Sequence, residues 1–275
     1  MADSYQLSAL SYQLNVFHHR SVKASMRNTL LAFTVLLSSG CVVIDAAVDR
    51  DTEHINQTAA LAPGGTLKLK NFSGRVTITG TDRQDASIDA VRRGTRDRLD
   101  HIKLDIHQEG STLVVNANQR DHSWSRHKNN VVETDFTIQV PRRTSLDADL
   151  FSSPLLVEGL EGSHKVHGFS SRVRFDNVTG PVRVHTFSGH VDIRTQDWGP
   201  DQSVDIDTFS GSVDLHVPDS AAGTVNFHSF SGHLNSEIPL TLRSGNRRSL
   251  RADLGGGSGS TLRFKTFSGS VRINR

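Results

Sequence analysis

The sequence predicts an all-β protein, a parallel β-solenoid (single-stranded β-helix-like) with an irregular N-terminal β cap. Three observations predict it. The tripeptide Phe-Ser-Gly recurs, beginning at Phe72, Phe187, Phe209, Phe230 and Phe267, and two variants with Ser for Gly begin at Phe151 and Phe169. Seven of the thirteen Phe residues therefore sit in one motif, and from Phe151 the spacings are 18, 18, 22, 21 and 37 residues. A self-similar period of this size belongs to stacked repeats. The motif is also flanked on both sides by apolar–polar alternation, as in Val182-Arg183-Val184-His185 before it and His190-Val191-Asp192-Ile193 after it. Period two is the signature of a half-buried strand, so each unit reads as strand, corner, strand. Helical spacing with proper caps is absent. A β-sandwich or propeller is the alternative, but meandering strands do not need the same corner so often.

Residues 1–25 carry no core pattern and read as a non-native or disordered leader, with Met26 as the initiator, or else as a long n-region. Residues 26–41 read as a lipoprotein signal peptide. Met26-Arg27 precede an eight-residue apolar run, 30–37, which is followed by Ser38-Ser39-Gly40-Cys41. Eight residues span about 12 Å as a helix, far short of a bilayer core of about 30 Å. The run therefore suits export rather than a transmembrane anchor. Cys41 is the only cysteine of the chain, so no intrachain disulfide forms. The small residues before it resemble a bacterial lipobox, which implies lipidation of Cys41 and a membrane partner through that lipid. Ser38 stands where the lipobox prefers Leu. Val42 follows the cysteine; in well-studied enteric lipoproteins Asp there favours the inner membrane, so the resemblance implies the outer membrane.

Residues 42–62 show no clean periodicity and read as a tether. Residues 63–144 read as the N-terminal β cap, with one motif at Phe72, four further alternating stretches and a polar loop around Trp124. Residues 145–275 read as the regular repeats, interrupted between Phe230 and Phe267 by a long loop containing Gly255-Gly256-Gly257 and one less regular coil.

At coil spacings of about 4.8 Å, equivalent residues form columns. The Gly column (Gly74, Gly189, Gly211, Gly232, Gly269) fits a corner needing positive φ or close backbone approach. The residue before each Phe (Asn71, Thr186, Thr208, Ser229, Thr266) points inward by parity and predicts hydroxyls bonding along the stack. The Phe column (Phe72, Phe151, Phe169, Phe187, Phe209, Phe230, Phe267) points outward by strict alternation. The usual burial of Phe favours rings turned in by a bend of the chain.

An early strand–Gly–strand unit, a middle section closing on Thr137-Ile138-Gln139-Val140-Pro141, the repeats, a Gly-rich insertion and a terminal Thr266-Phe267-Ser268-Gly269-Ser270 occur in this order. The order resembles the bacterial envelope family labelled β-strand-repeat "putative adhesin", a domain of unknown function. The resemblance covers about residues 60–275 and implies adhesion, with no catalytic residues to carry over.

Two columns are candidates for metal chemistry. His185, Asp207 and His228, with His167, occupy the slot two before Phe and, stacked in chain order, would share a transition metal or form a solvated polar column, since Lys70, Asp149 and Lys265 hold the same slot in other coils. Asp192 and Asp214, flanked by Arg174 and Asn235, would hold Ca²⁺ or pair with Arg. Polysaccharide-acting β-helix enzymes could draft Asp192, Asp205, Asp207, Asp214 and Arg174, but no nucleophile elbow, HExxH, P-loop or dinucleotide motif is present, and the loops are short. Net charge is +2; without residues 1–41 it is 28 basic against 28 acidic residues, dispersed, so nucleic acid is not an expected partner. The sequence therefore reads as a non-catalytic, cofactor-free cell-envelope lipoprotein, a binding protein or structural scaffold. Its partner would be an envelope protein, a polysaccharide or a second copy. The alternatives are an envelope-stress signalling accessory and the enzyme.

Overall fold

The computed structural model describes residues 50–120, 131–199, 202–257 and 259–275. The expectations for the leader, the signal peptide, Cys41 and the loop at 121–130 lie outside the described residues.

The described chain is all-β but for one helical turn. It begins with β1 (Asp51–Ala60), β2 (Thr66–Ser73), β3 (Val76–Thr81), β4 (Asp85–Gly94), α1 (Arg96–His101), β5 (Ile102–Glu109), β6 (Thr112–Arg120) and β7 (Glu133–Pro141). It continues through β8 (Ser145–Ser152), β9 (Leu155–Glu158), β10 (His164–Ser170), β11 (Val173–Asp176), β12 (Val182–Ser188), β13 (His190–Arg194), β14 (Val204–Thr208) and β15 (Ser212–His216). The last strands are β16 (Gly223–Ser229), β17 (His233–Ser236), β18 (Leu240–Gly245), β19 (Ser249–Leu254), β20 (Ser260–Thr266) and β21 (Ser270–Asn274).

Two sheets result. One has eleven strands in the order β18-β19-β16-β20-β14-β12-β10-β8-β2-β6-β5, and the other ten in the order β1-β4-β7-β3-β9-β11-β13-β15-β21-β17. Each repeat gives the strand before its corner to the first sheet and the strand after it to the second, and equivalent strands pair in parallel. The apolar half of each alternation points between the sheets: Val182, Val184, Val204 and Ile206 from the first, Val191, Ile193, Val213 and Leu215 from the second, in one continuous core. Each such side chain contributes about 1.5–3 kcal/mol by leaving water.

The structure corrects three expectations. Residues 51–60, expected to be tether, form β1, paired antiparallel with β4 along its whole length. Its sequence shows no alternation because it is an edge strand with only Ile55 and Ala59 against the core. The motif at Phe72 belongs to a regular unit, since β2 lies between β6 and β8 and β3 between β7 and β9. The stack also departs from chain order. The final unit, β20–β21, lies between β14–β15 and β16–β17. The insertion explains this: it forms the hairpin β18–β19, whose β19 covers the outer edge of β16 antiparallel, so β20 enters on the inner side. Antiparallel strands thus finish the eleven-stranded sheet at both ends and the ten-stranded sheet at its β1 end, where an open edge would invite pairing with other chains, while the other edge of the ten-stranded sheet is β17, parallel to β21.

Candidate functional site

The corner is built by three residues and decorated by a fourth. Thr208, Ser229 and Thr266 point inward, and each accepts a hydrogen bond from the N–H of the Gly three residues on, at 3.0, 2.5 and 2.7 Å. The hydroxyls therefore close their own corners instead of bonding along the stack as expected. Asn71 instead donates to the Thr134 carbonyl of the neighbouring coil at 2.9 Å. The Gly column exists because coils touch at this point. A Cβ on Gly269 would meet the carbonyl oxygen of Gly211, and one on Gly232 that of Gly269. Where Ser153 and Ser171 replace Gly they are fully buried, and the Ser153 N–H donates to the Ser171 hydroxyl at 3.2 Å.

The Phe rings face out. Phe151, Phe169, Phe187, Phe209, Phe230 and Phe267 are 42–53% exposed, against the inward turn that burial statistics favour. The physical reason is where the chain bends. Strands β8, β10 and β12 run through Phe to the following Ser, so alternation holds past the ring and the bend comes after it. The rings stack in one row: Phe72–Phe151 at 4.4 Å, Phe151–Phe169 at 4.8 Å, Phe169–Phe187 at 5.2 Å, Phe187–Phe209 at 5.0 Å, then Phe209–Phe267 and Phe267–Phe230 at 4.8 Å. Planes are within 11° of parallel throughout. The Arg248 guanidinium lies 4.5 Å from the centre of the last ring, Phe230, as a cation–π cap on that end.

A groove of about 970 Å³ runs beside this row. Its other wall is the outward column two residues earlier, which reads Lys70, Asp149, His167, His185, Asp207, Lys265, His228 along the stack. Asp207 lies between His185, at 4.0 Å, and Lys265, whose ammonium donates to it at 3.0 Å. The candidate metal set is not assembled as expected: Lys265 separates Asp207 from His228, because β20 intercalates. No group of three or more metal-ligating side chains occurs among the described residues. His185 stacks instead on His167 at 5.5 Å, and burial, aided by Lys165, holds the His167 pKa below its usual value.

The second candidate column departs from expectation in the same way. Arg272 of β21 stands between Asp214 and Asn235. Asp214 pairs with Arg272 at 3.2 Å and His190 at 3.4 Å, and Asp192 pairs with Arg194 at 3.1 Å. Asp205 lies 3.6 Å from Arg183. Sequence reasoning placed Lys265 in this slot but not between Asp207 and His228, and it missed Arg272 beside Asp214, since only the intercalation sets those neighbours. It also missed Asn116 and Asn118 of β6, which extend the groove past Phe72.

Comparison with known proteins gives a family-model match within the repeats. Residues 161–274 match the family model described as Toastrack DUF4097. No curated protein matches the chain significantly. A solved structure from Clostridium sporogenes, described as a "putative cell adhesion protein", is 11% identical and covers 81% of this chain and 99% of its own, with a TM-score of 0.46. A "putative adhesin" from Bacteroides fragilis is 12% identical over 80% of this chain and 97% of its own, with a TM-score of 0.29. A "putative lipid binding protein" from Parabacteroides distasonis is 9% identical over 82% and 97%, with a TM-score of 0.32. Likenesses of this size say nothing about ligand or partner.

Proposed function

We propose, on the premise that residues 161–274 are a Toastrack DUF4097 segment of unknown function, that this chain is a non-catalytic binding scaffold of the cell envelope. In this reading its parallel units close into a β-solenoid, and the Phe-walled groove is the working surface.

The observation that carries the reading is the exposed aromatic row. Thr, Ser and Gly are sufficient to build the corner, and the rings add nothing to the core between the sheets. A contiguous apolar row rimmed by charge marks an interaction surface rather than a packing requirement. The carboxylates that a polysaccharide-cleaving β-helix would use support the same reading. Asp192, Asp205, Asp207 and Asp214 are each paired with a cation, whereas such chemistry needs one carboxyl held as an acid and another free as base or nucleophile.

The membrane attachment rests on the sequence alone. Lipid on Cys41 would tether the scaffold, with Val42 directing it to the outer membrane. Labelled palmitate should enter the wild-type chain and not Cys41→Ala; equal uptake by both would contradict the anchor.

The binding reading is tested by placing a photoreactive phenylalanine analogue at position 209 in cells, with position 156 on the outward face of the other sheet as control. Crosslinks are expected from 209 and few from 156. Absence of crosslinks at 209, or equal yields at both, would overturn the reading.

A further inference from the structure

The aromatic row has geometry that selects among partners. Each inner ring has a stacked neighbour on both faces, so C–H edges point to water. A sugar ring stacks on an aromatic face, and those faces are already occupied. What fits a row of edges is another apolar row of edges, laid against it edge to edge. With about 200 Å² per ring, the six exposed rings leave on the order of 500 Å² of aromatic surface in water. With the flanking charged columns the face approaches the roughly 800 Å² per partner of a stable interface.

Charge decides the register. Two columns flank the row on the outward face of the eleven-stranded sheet. The nearer reads Lys70, Asp149, His167, His185, Asp207, Lys265, His228. The next reads Lys68, Asp147, Lys165, Arg183, Asp205, Arg263, Asn226.

Suppose a second copy is turned over about a two-fold axis running along β12 through Phe187. Rings then meet as Phe72 with Phe230, Phe151 with Phe267, Phe169 with Phe209, and Phe187 with itself. In the nearer column Asp149 faces Lys265 and His167 faces Asp207. In the next, Asp147 faces Arg263 and Lys165 faces Asp205. Among ionised pairs only Arg183, on the axis, meets its like. Shifting the axis half a rung, between β10 and β12, sets Lys70 on Lys265, Asp149 on Asp207 and Asp147 on Asp205. Like charges placed opposite each other cost stability; the half-rung shift the other way, between β12 and β14, sets Lys165 on Arg263 and keeps only Arg183 on Asp205 as a complementary pair of permanent charges.

We propose that the Phe row is the interface of an antiparallel homodimer centred on Phe187. It rests on the binding reading above and names its partner as a second copy of this chain. The interface is isologous, so each off-axis contact occurs twice.

Sedimentation of the purified full-length chain tests it. The wild type should run as a reversible dimer. Asp149→Lys and Lys265→Asp should each place two like-charge pairs in the interface and loosen the dimer about tenfold or more. Mixing these two variants should restore the dimer, because each reversed residue then meets its complement in the other chain. The double variant should restore it within one chain. Thermal melts of each variant separate misfolding from weakened pairing, since misfolded chains would not recover on mixing. A monomer at every concentration, or a dimer indifferent to both reversals, or single variants that fold and weaken without recovery on mixing, would overturn the proposal. Crosslinking of position 209 in cells to a different molecule, with the chain monomeric in solution, would keep the binding reading and overturn only this one.

Discussion

Replacing Gly269 by alanine is expected to lower stability by about 3 kcal/mol, because the added methyl has nowhere to go. Its Cβ would land on the carbonyl oxygen of Gly211 in the adjacent coil, with the Thr266 hydroxyl also crowding it at 2.6 Å. Both obstacles are fixed. The carbonyl belongs to the neighbouring backbone, and the hydroxyl is held by the Gly269 N–H. Relief requires the coils to part, which loosens the parallel pairing of β14 with β20 and of β15 with β21. Gly256→Ala is the control: no atom lies within 4 Å of its Cβ position, and its φ is outside the left-handed region. That variant should stay within about 0.5 kcal/mol of wild type. Chemical denaturation of the two variants checks the expectation. Equal midpoints would mean the corner is not in contact between coils.

Lowering the pH should destabilise the protein through His164 by about 3 kcal/mol. This histidine occupies an inward position of β10 between Leu146 and Val182, where other coils place aliphatic side chains. It is fully buried beside Phe175 at 5.9 Å, its Nε2 lies 3.3 Å from the Thr179 carbonyl, and its Nδ1 has no partner. Burial lowers its pKa from the usual 6.5 to about 4. The sign follows from that depression. Below the unfolded pKa, the unfolded chain takes up a proton that the folded chain refuses. The stability is therefore complete above about pH 6.5 and is lost as pH falls through about 4. His164→Val should remove this part of the acid dependence and leave the neutral-pH fold intact. An unchanged slope between pH 6.5 and pH 4 in the variant would show that His164 is not buried neutral.

The repeat units were legible because their alternation is strict and their corner is chemically specific. Val204-Asp205-Ile206-Asp207-Thr208 states both a strand and its inward face, and Gly211 states a contact between coils. The orientation of the rings was also legible in the alternation, yet general burial preference argued against it; the local rule prevailed because the chain bends after Phe. Other features had no local signal. Strand β1 is held by backbone pairing on an edge, which leaves no apolar face to read. The intercalation of β20 depends on a hairpin covering β16, a long-range choice no single segment encodes. It also replaced the expected Asp207–His228 neighbourhood with the Asp207–Lys265 ion pair. The dimer register could not be read before that order was known, since Lys265 and Arg263 supply half of the complementary pairs.

The central claim is that the Phe-Ser-Gly repeats hold their rings outward in one row. Hydroxyl-radical footprinting of the folded, dilute chain tests this most directly. Phe151, Phe169, Phe187, Phe209, Phe230 and Phe267 should be oxidised readily, and Phe136, Phe175 and Phe264, which are 2%, 0% and 1% exposed, should be protected. Protection of the row rising with protein concentration would agree with its burial against a second copy. Protection of the row in the dilute monomer, equal to that of Phe175, would contradict the account.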